Sequence, residues 1–386
     1  MKKHSIIVVG GGPIGLTAAI LLEKNSIDVA IVLDRHRIEK NIEFITPARL
    51  FAVAERSRDI LNNLKLKNIE SNSQKINHIR IVDNNSTAKV DFDPADIDLE
   101  DFGYMIDEKV LIKILYSKLL ETSVTVYESG NDIDISEDEF FIKLNNLQIK
   151  SQLLIAANGK CSKIKEKLGI DTKEYDYKQT AIVIDIRHSS WPHNGVAVEK
   201  FTPNGPFAIL PKYEENGTTS SLVWVEKGII KDLKSLSKGV LKDLIMRKLD
   251  DYLGDIELIS EPLLYNLKLF QSKKRFKGRT VFVGDAAQSI HPIAGQGFNL
   301  GLRDVECLIK FICEAKKIGL DYKEILKNYS ISRDSDVSSM VLTTTMINAL
   351  FANGILPVKA LRRLGLNLFD KIPYLKRFIM KHAAGI

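Results

Sequence analysis

The residues best placed to do chemistry stand near the start of the chain. Ile6-Ile7-Val8-Val9 is an apolar, β-branched run of the kind that fills a parallel strand buried on both faces. It leads into Gly10-Gly11-Gly12-Pro13-Ile14-Gly15, which satisfies G-x-G-x-x-G, and a helical pattern follows from Leu16 through Glu23. A second strand, Val29–Leu33, ends on Asp34, nineteen residues after Gly15, with Arg35 next to it. Each part has a task. Gly10 permits the tight turn, Gly12 lets backbone N–H groups approach a pyrophosphate, and Gly15 lets the helix lie close on the strand. The helix start then favours an anion, and the Asp34 carboxylate can accept hydrogen bonds from a ribose hydroxyl pair. The motif describes a dinucleotide site and leaves NAD(P) and FAD both open.

A second constellation decides between them. Gly278-Arg279-Thr280-Val281-Phe282-Val283-Gly284-Asp285 is again a short apolar strand ending in Gly-Asp. After it come His291-Pro292-Ile293-Ala294-Gly295-Gln296-Gly297-Phe298-Asn299 and a helix running to about Ala315. A nicotinamide dehydrogenase has no use for this second phosphate-side strand. FAD does, because its ribityl chain and flavin extend beyond the first site. Asp285 would accept from a ribityl hydroxyl, and Gly295, Gln296, Gly297, Phe298 and Asn299 would offer backbone N–H groups to the flavin's pyrimidine edge. Negative charge on reduced flavin is stabilised there by the helix N-terminus. His291 reads as a structural histidine at a helix start in preference to a catalytic base.

The string from Val283 to Asp304 resembles the second FAD motif of the group A flavoprotein monooxygenases. HPIAGQGFNLGLRD within it resembles their ubiquinone-biosynthesis hydroxylases. Phe201-Thr202-Pro203-Asn204-Gly205-Pro206-Phe207-Ala208-Ile209-Leu210-Pro211 resembles the substrate-domain segment of that subfamily, and Ser221-Leu222-Val223-Trp224 its following strand, so the likeness covers nearly all of the chain. The resemblance implies a Rossmann-like, three-layer ββα FAD domain of the p-hydroxybenzoate-hydroxylase type. That domain is interleaved with a mostly antiparallel β-sheet substrate domain and followed by a C-terminal helical segment. The expected divisions are 1–70, 100–175 and 270–325 for FAD, 71–99 and 176–269 for substrate, and 326–386 for the helical segment.

The resemblance further implies bound FAD, NAD(P)H as a transient co-substrate, and a flavin hydroperoxide that hydroxylates a polyprenylated phenol. It places Arg49 near flavin and pyrophosphate, although a solvated surface arginine would look the same in sequence. Phe201, Phe207, Trp224 and Pro292 are the pocket-lining candidates, with a buried core position the commoner place for any one of the aromatics. The group that deprotonates the phenol is not readable, and Tyr177, Tyr213 and His188 are candidates no better than chance.

Two departures stand against the family pattern. Asn158-Gly159 follows the apolar strand Leu153–Ala157 where relatives carry Asp-Gly, which keeps the hydrogen-bonding shape but loses the charge. Glu108-Lys109 stands where they carry Asn-Arg, which removes a bidentate fork. These departures raise an alternative reading, a catalytically weak FAD-binding scaffold within a quinone-biosynthesis assembly. Other flavoenzyme classes are excluded: there is no second G-x-G-x-x-G with a redox cysteine pair, and Trp191 and Trp224 are isolated rather than spaced as a halogenase Trp-x-Trp.

The elements that must position these residues are those of an ordinary globular chain of 386 residues, 45% hydrophobic and 27% charged. Thr180–Ile186 predicts a strand, Ile76–Val90 alternates weakly, and Asn216-Gly217 predicts a hairpin turn. The net charge of +6 comes without any dense basic run, which argues against nucleic acid. Cys161, Cys307 and Cys313 form neither a disulfide framework nor metal spacing. A cytoplasmic protein is expected, without signal peptide or membrane span. From Lys359 to Ile386 seven basic residues and one acid interleave with Leu, Phe, Tyr, Ile and Met. Two readings of that stretch stand: a patch resting on the inner face of the cell membrane, or a helical cap with a solvated basic face.

Overall fold

The computed structural model describes residues 2–34, 38–39, 49–83, 89–128, 133–136, 141–144, 147–160, 162–189, 192–228, 236–249, 252–290, 295–352 and 372–386. Its first sheet has a parallel centre. Lys2–Val9 lies between Val29–Leu33 and Leu147–Ala156. Outside these run Thr125–Glu128 on one side and Thr280–Phe282 on the other. The β-branched run alternates as a doubly buried strand must. Ile6 and Val8 pack with Leu16, Ile20, Val305 and Leu308 beneath the helices Pro13–Lys24 and Gln296–Ile318, while Ile7 and Val9 pack with Leu154, Ala156, Ile164 and Phe282. The first helix begins earlier than its sequence pattern indicates, with Pro13 at its first turn.

The second sheet has nine strands and is antiparallel apart from one parallel pair, Val196–Thr202 with His78–Asp83. Its order runs from Gln288–Ser289 through Leu263–Ser272, Thr172–His188, Thr219–Lys227, Gly205–Pro211, Val196–Thr202 and His78–Asp83 to Lys89–Phe92. Gly217, at φ +60°, turns the chain between Gly205–Pro211 and Thr219–Lys227, as the Asn-Gly pair predicts. The helix Lys238–Leu249 backs one face, burying Leu241, Ile245 and Leu249 against Ile182, Ile184, Phe207, Leu222 and Trp224. A small antiparallel sheet of Leu50–Val53, Tyr104–Asp107 and Ser73–Lys75 completes the strands. The α/β architecture expected from the sequence, with its helical C-terminal segment, is therefore present. No helix among the described residues is long and apolar enough to cross a membrane.

The last helix, Pro373–Ala384, docks Met380 and Ala384 against Val90, Phe92 and Ile97, and its Lys376 pairs with Asp96 at 3.3 Å. Tyr374, Phe378 and Ile379 point outward. The basic and apolar residues between 353 and 371, Lys359, Arg362, Arg363 and Lys371 included, lie outside the described residues.

One buried carboxylate gathers the turn after Thr280–Phe282, Gln288 and Arg333 around the helix Gln296–Ile318. Asp304 is fully buried and accepts from the Gly284 backbone N–H at 3.0 Å, Gln288 Nε2 at 2.7 Å and Arg333 Nε at 2.7 Å, with Arg275 at 3.8 Å. Removing one partner of such a buried network leaves uncompensated charge, at a cost of about 3–5 kcal/mol. The Arg279–Asp321 pair is partly exposed, and pairs of that kind contribute at most about 1 kcal/mol. Asp304→Ala should therefore lower the urea unfolding midpoint far more than Asp321→Ala. Equal shifts would show that the Asp304 network does not hold the fold.

Candidate active site

A parallel sheet delivers its strand ends to one edge, and here that edge gathers the glycine loop, Asn158 and Asp285. Gly10 N–H donates to Val32 O at 2.9 Å, Ala157 N–H to Val9 O at 2.8 Å, and Val283 N–H to Ala156 O at 3.1 Å. A side chain on Gly10 would strike the Ala157–Asn158 backbone, and one on Gly15 would collide with the Gly10 carbonyl, so both glycines serve close approach of chain to chain. Gly12 and Gly297 differ. A Cβ at either meets nothing within 4 Å, so each faces open space.

Both helices at this edge start without a side-chain cap and without an acid in the first turn. Ile14 lies against both Gly284 and Gly301, bringing the start of the first helix beside the Gly-Asp turn and the second helix. Uncapped N–H groups with the positive ends of two helix dipoles make an anion site. Two buried acceptors, Asn158 Oδ1 and Gln296 Oε1, have no hydrogen-bond partner among the described residues. Buried polar atoms left so are costly unless a ligand satisfies them. Open space at Gly12 and Gly297, free helix starts and two orphan acceptors fit a dinucleotide cofactor lying across both glycine motifs.

Charged groups collect beside it. Arg49 Nη1 lies 3.8 Å from Asp285 Oδ2, both half-exposed, and its guanidinium sits over the Phe51 ring at 5.6 Å. Glu108 opens the helix Glu108–Leu120. Burial raises its pKa; Arg49 opposes that shift and Asp285 adds to it. Tyr265, on Leu263–Ser272, is raised by burial and feels both Arg49 and Glu108. Asn299 spends its side chain on the protein: Nδ2 donates to Ala52 O at 2.9 Å and Oδ1 accepts from Ala54 N–H at 3.1 Å. Phe298 stacks on Phe51 at 4.4 Å. Of the loop Gly295–Asn299, backbone N–H groups and Gln296 are what remain for a cofactor.

The other sequence candidates divide. Pro13 lies buried in the first helical turn, and Asp34 is exposed at the end of its strand. Arg35, His291 and Pro292 lie outside the described residues. Phe201 is buried in the second sheet. Phe207 and Trp224 pack behind that sheet against Ile245, which makes them core aromatics rather than pocket lining. His188 is bound to Ser220 at 3.1 Å, Tyr177 bonds Thr345, and Tyr213 is exposed. Tyr265 was missed because nothing in its local sequence marks it; its neighbours Arg49 and Glu108 lie far away along the chain.

The sequence profile of the FAD binding domain family matches residues 3–344. The chain is 32% identical over 392 aligned residues to the ubiquinone hydroxylase UbiL of Rhodospirillum rubrum, covering all of this chain and 90% of that protein. It is 28% identical to the 3-demethoxyubiquinol 3-hydroxylase of Escherichia coli, covering all of this chain and 99% of that one. Among solved structures, the p-nitrophenol 4-monooxygenase PnpA of Pseudomonas putida superposes with a TM-score of 0.80 at 17% identity, covering 100% and 99% of the two chains. The chain belongs to the FAD-binding flavoprotein hydroxylases, alongside the ubiquinone hydroxylases.

Proposed function

We propose that this protein is an FAD-dependent monooxygenase that hydroxylates the aromatic ring of a polyprenylated phenol in ubiquinone biosynthesis, using NAD(P)H and O2. The observation that carries the reading is identity along the whole chain to a protein named as a ubiquinone hydroxylase. When bound, the flavin supplies the oxygen-activating chemistry. The protein's share is to hold and orient. Gly12 and the first helix start would take the pyrophosphate, Asp34 and Arg35 the adenosine end, Asp285 with Arg49 the ribityl chain. Gly295 to Asn299 would take the pyrimidine edge, with Asn158 Oδ1 as an added acceptor. We assign 1–70, 100–175 and 270–325 to this cofactor half, 71–99 and 176–269 to the substrate half, and the rest to the C-terminal segment.

A polyprenyl phenol is nearly insoluble, and the C-terminal helix offers a route to it. While Met380 and Ala384 fix the helix to the sheet, Tyr374, Phe378, Arg377 and Lys381 face outward. An apolar outward face with basic residues suits an anionic membrane surface on the inner side of the cell membrane. Each basic residue near such a surface contributes roughly 1 kcal/mol, less as salt rises.

Three outcomes are expected. Gly12→Val should abolish FAD binding while leaving the fold intact, because the added side chain meets only open space in the protein; normal flavin content in this variant would rule the site out. Asn158→Asp should speed flavin reduction by NAD(P)H or tighten FAD, and an unchanged titration and stopped-flow rate would mark the departure as neutral. The protein should sediment with phosphatidylglycerol vesicles at low salt. Neutralising Arg362, Arg363, Arg377 and Lys381 should release it without loss of FAD or of activity on 2-allylphenol. Binding that persists would make the segment a cap and leave substrate delivery to a partner in a quinone-biosynthesis assembly.

A further inference from the structure

The face of the second sheet turned away from Lys238–Leu249 carries one feature that cofactor binding does not use. Along Val196–Thr202 the side chains alternate. Val198 enters the helix-backed core, and Lys200 Nζ donates to the Lys248 carbonyl on that helix at 3.0 Å. Ala197, Glu199 and Phe201 therefore face the other way. Strand register places Glu199 beside Ile81 and opposite Ala208; Ala208 is opposite Val223, Val223 opposite Val183, and Val183 opposite Leu263. Glu199 is the one ionisable side chain in a row of apolar ones crossing six strands.

That face leads to the cofactor edge. Ala197, two residues from Glu199, packs with Ile76, Met105, Leu50 and Ala52. Ala52 in turn takes the hydrogen bond from Asn299, and its Cβ lies 3.1 Å from the position a Cβ on Gly295 would occupy. A continuous patch thus joins Glu199 to the loop assigned to the flavin's pyrimidine edge.

Glu199 keeps part of its surface in contact with solvent, yet burial alone pushes its pKa up to about 7. The charged groups on surrounding elements are engaged elsewhere. Lys212 pairs with Asp185 at 2.5 Å and Asp107 at 3.7 Å, Lys376 with Asp96, and Arg80 with Asp91 at 2.5 Å. Tyr265 is with Arg49 and Glu108, Asp83 is buried on the neighbouring strand, and the Tyr104 hydroxyl is buried without a partner among the described residues. None of these contributes to the Glu199 shift. A carboxyl so placed is costly unless something it binds offsets the desolvation.

We propose that Glu199 accepts the hydrogen bond of the substrate's ring hydroxyl and takes its proton as the ring is attacked. The proposal rests on the hydroxylase reading above. The proton passes from the phenol oxygen to a Glu199 carboxylate oxygen. The negative charge passes from the carboxylate to the phenol oxygen and, by resonance, to the ortho and para carbons. The pair's total charge is unchanged, and the ring becomes the stronger nucleophile that an electrophilic hydroxylation requires. A base titrating near the working pH suits this transfer from a phenol of pKa about 10. Ile81, Ala208, Val223 and Val183 would pack the ring and the first carbons of its tail.

The test uses the FAD-loaded protein with Glu199→Gln and Glu199→Asp, each first shown to carry normal flavin. Equilibrium dialysis measures binding of 2-allylphenol and of its methyl ether from about pH 5.5 to about pH 8.5, a range that brackets the titration. The parent should bind the phenol more tightly as pH rises through about 7, and the ether without pH dependence. Glu199→Gln should lose the pH dependence and roughly 10²-fold in turnover, and Glu199→Asp should recover part of both. Parent-like binding and turnover in Glu199→Gln, with the parent forming hydroxylated product, overturns the assignment alone. Failure of the parent to hydroxylate any prenylated phenol overturns the hydroxylase reading, and the proposal falls with it.

Discussion

The Asp304 carboxylate holds the Gly284–Asp285 turn of the second cofactor motif to the helix Gln296–Ile318. A fully buried carboxylate is tolerated only where donors surround it, and here they come from the Gly284 backbone, from Gln288 just after it and from Arg333 far along the chain. Gly284 is thereby fixed at φ +60°, which sets the turn that carries Asp285 to Arg49. The helix bearing Asp304 also bears Gly301, whose close approach to Gly284 and Ile14 draws the two helix starts together. The network and this close contact together place the Gly-Asp turn beside the start of the first helix.

That arrangement explains why the cofactor edge is polar but poor in its own hydrogen bonds. Helix starts usually carry a Ser, Thr, Asp or Asn cap, and acids in the first turn. Pro13–Lys24 and Gln296–Ile318 have neither, and the orphan atoms of Asn158 and Gln296 sit beside them. Each omission costs stability in the empty protein and is offset only when a ligand binds. Glu108 is the exception. It introduces a carboxyl beside Asp285, and burial favours its protonated form, which limits repulsion with Asp285.

Local patterns were readable before the structure, and non-local ones were not. The glycine loop, its flanking strand and helix, Asp285 and the Asn216–Gly217 turn depend on neighbours within a few residues, so spacing alone exposes them. Which face of a strand enters the core depends on a distant helix. Phe207 and Trp224 look like pocket aromatics in sequence, yet Lys238–Leu249 claims their face. Val196–Thr202 reads Val-Ala-Val-Glu-Lys-Phe-Thr, apolar on both faces, so its alternation cannot tell which face the helix covers. Glu199 was invisible for that reason. Arg333 and Tyr265 were invisible because their partners lie far away in sequence.

The division of labour follows from the physics of the two sheets. Parallel strands end at one edge and present backbone donors and helix dipoles there, which suits an extended anion and gives little choice of side chain. An antiparallel sheet presents a whole face, where every second residue is free to vary without disturbing the ladder. A ring-recognising group placed on that face can change identity while the core behind it stays the same. Val198 and Lys200 are tied to the helix side by packing and by the Lys248 carbonyl; Glu199 between them is tied to nothing described on its own side. Substrate chemistry can thus be set at one position of a fold whose cofactor edge is fixed by backbone.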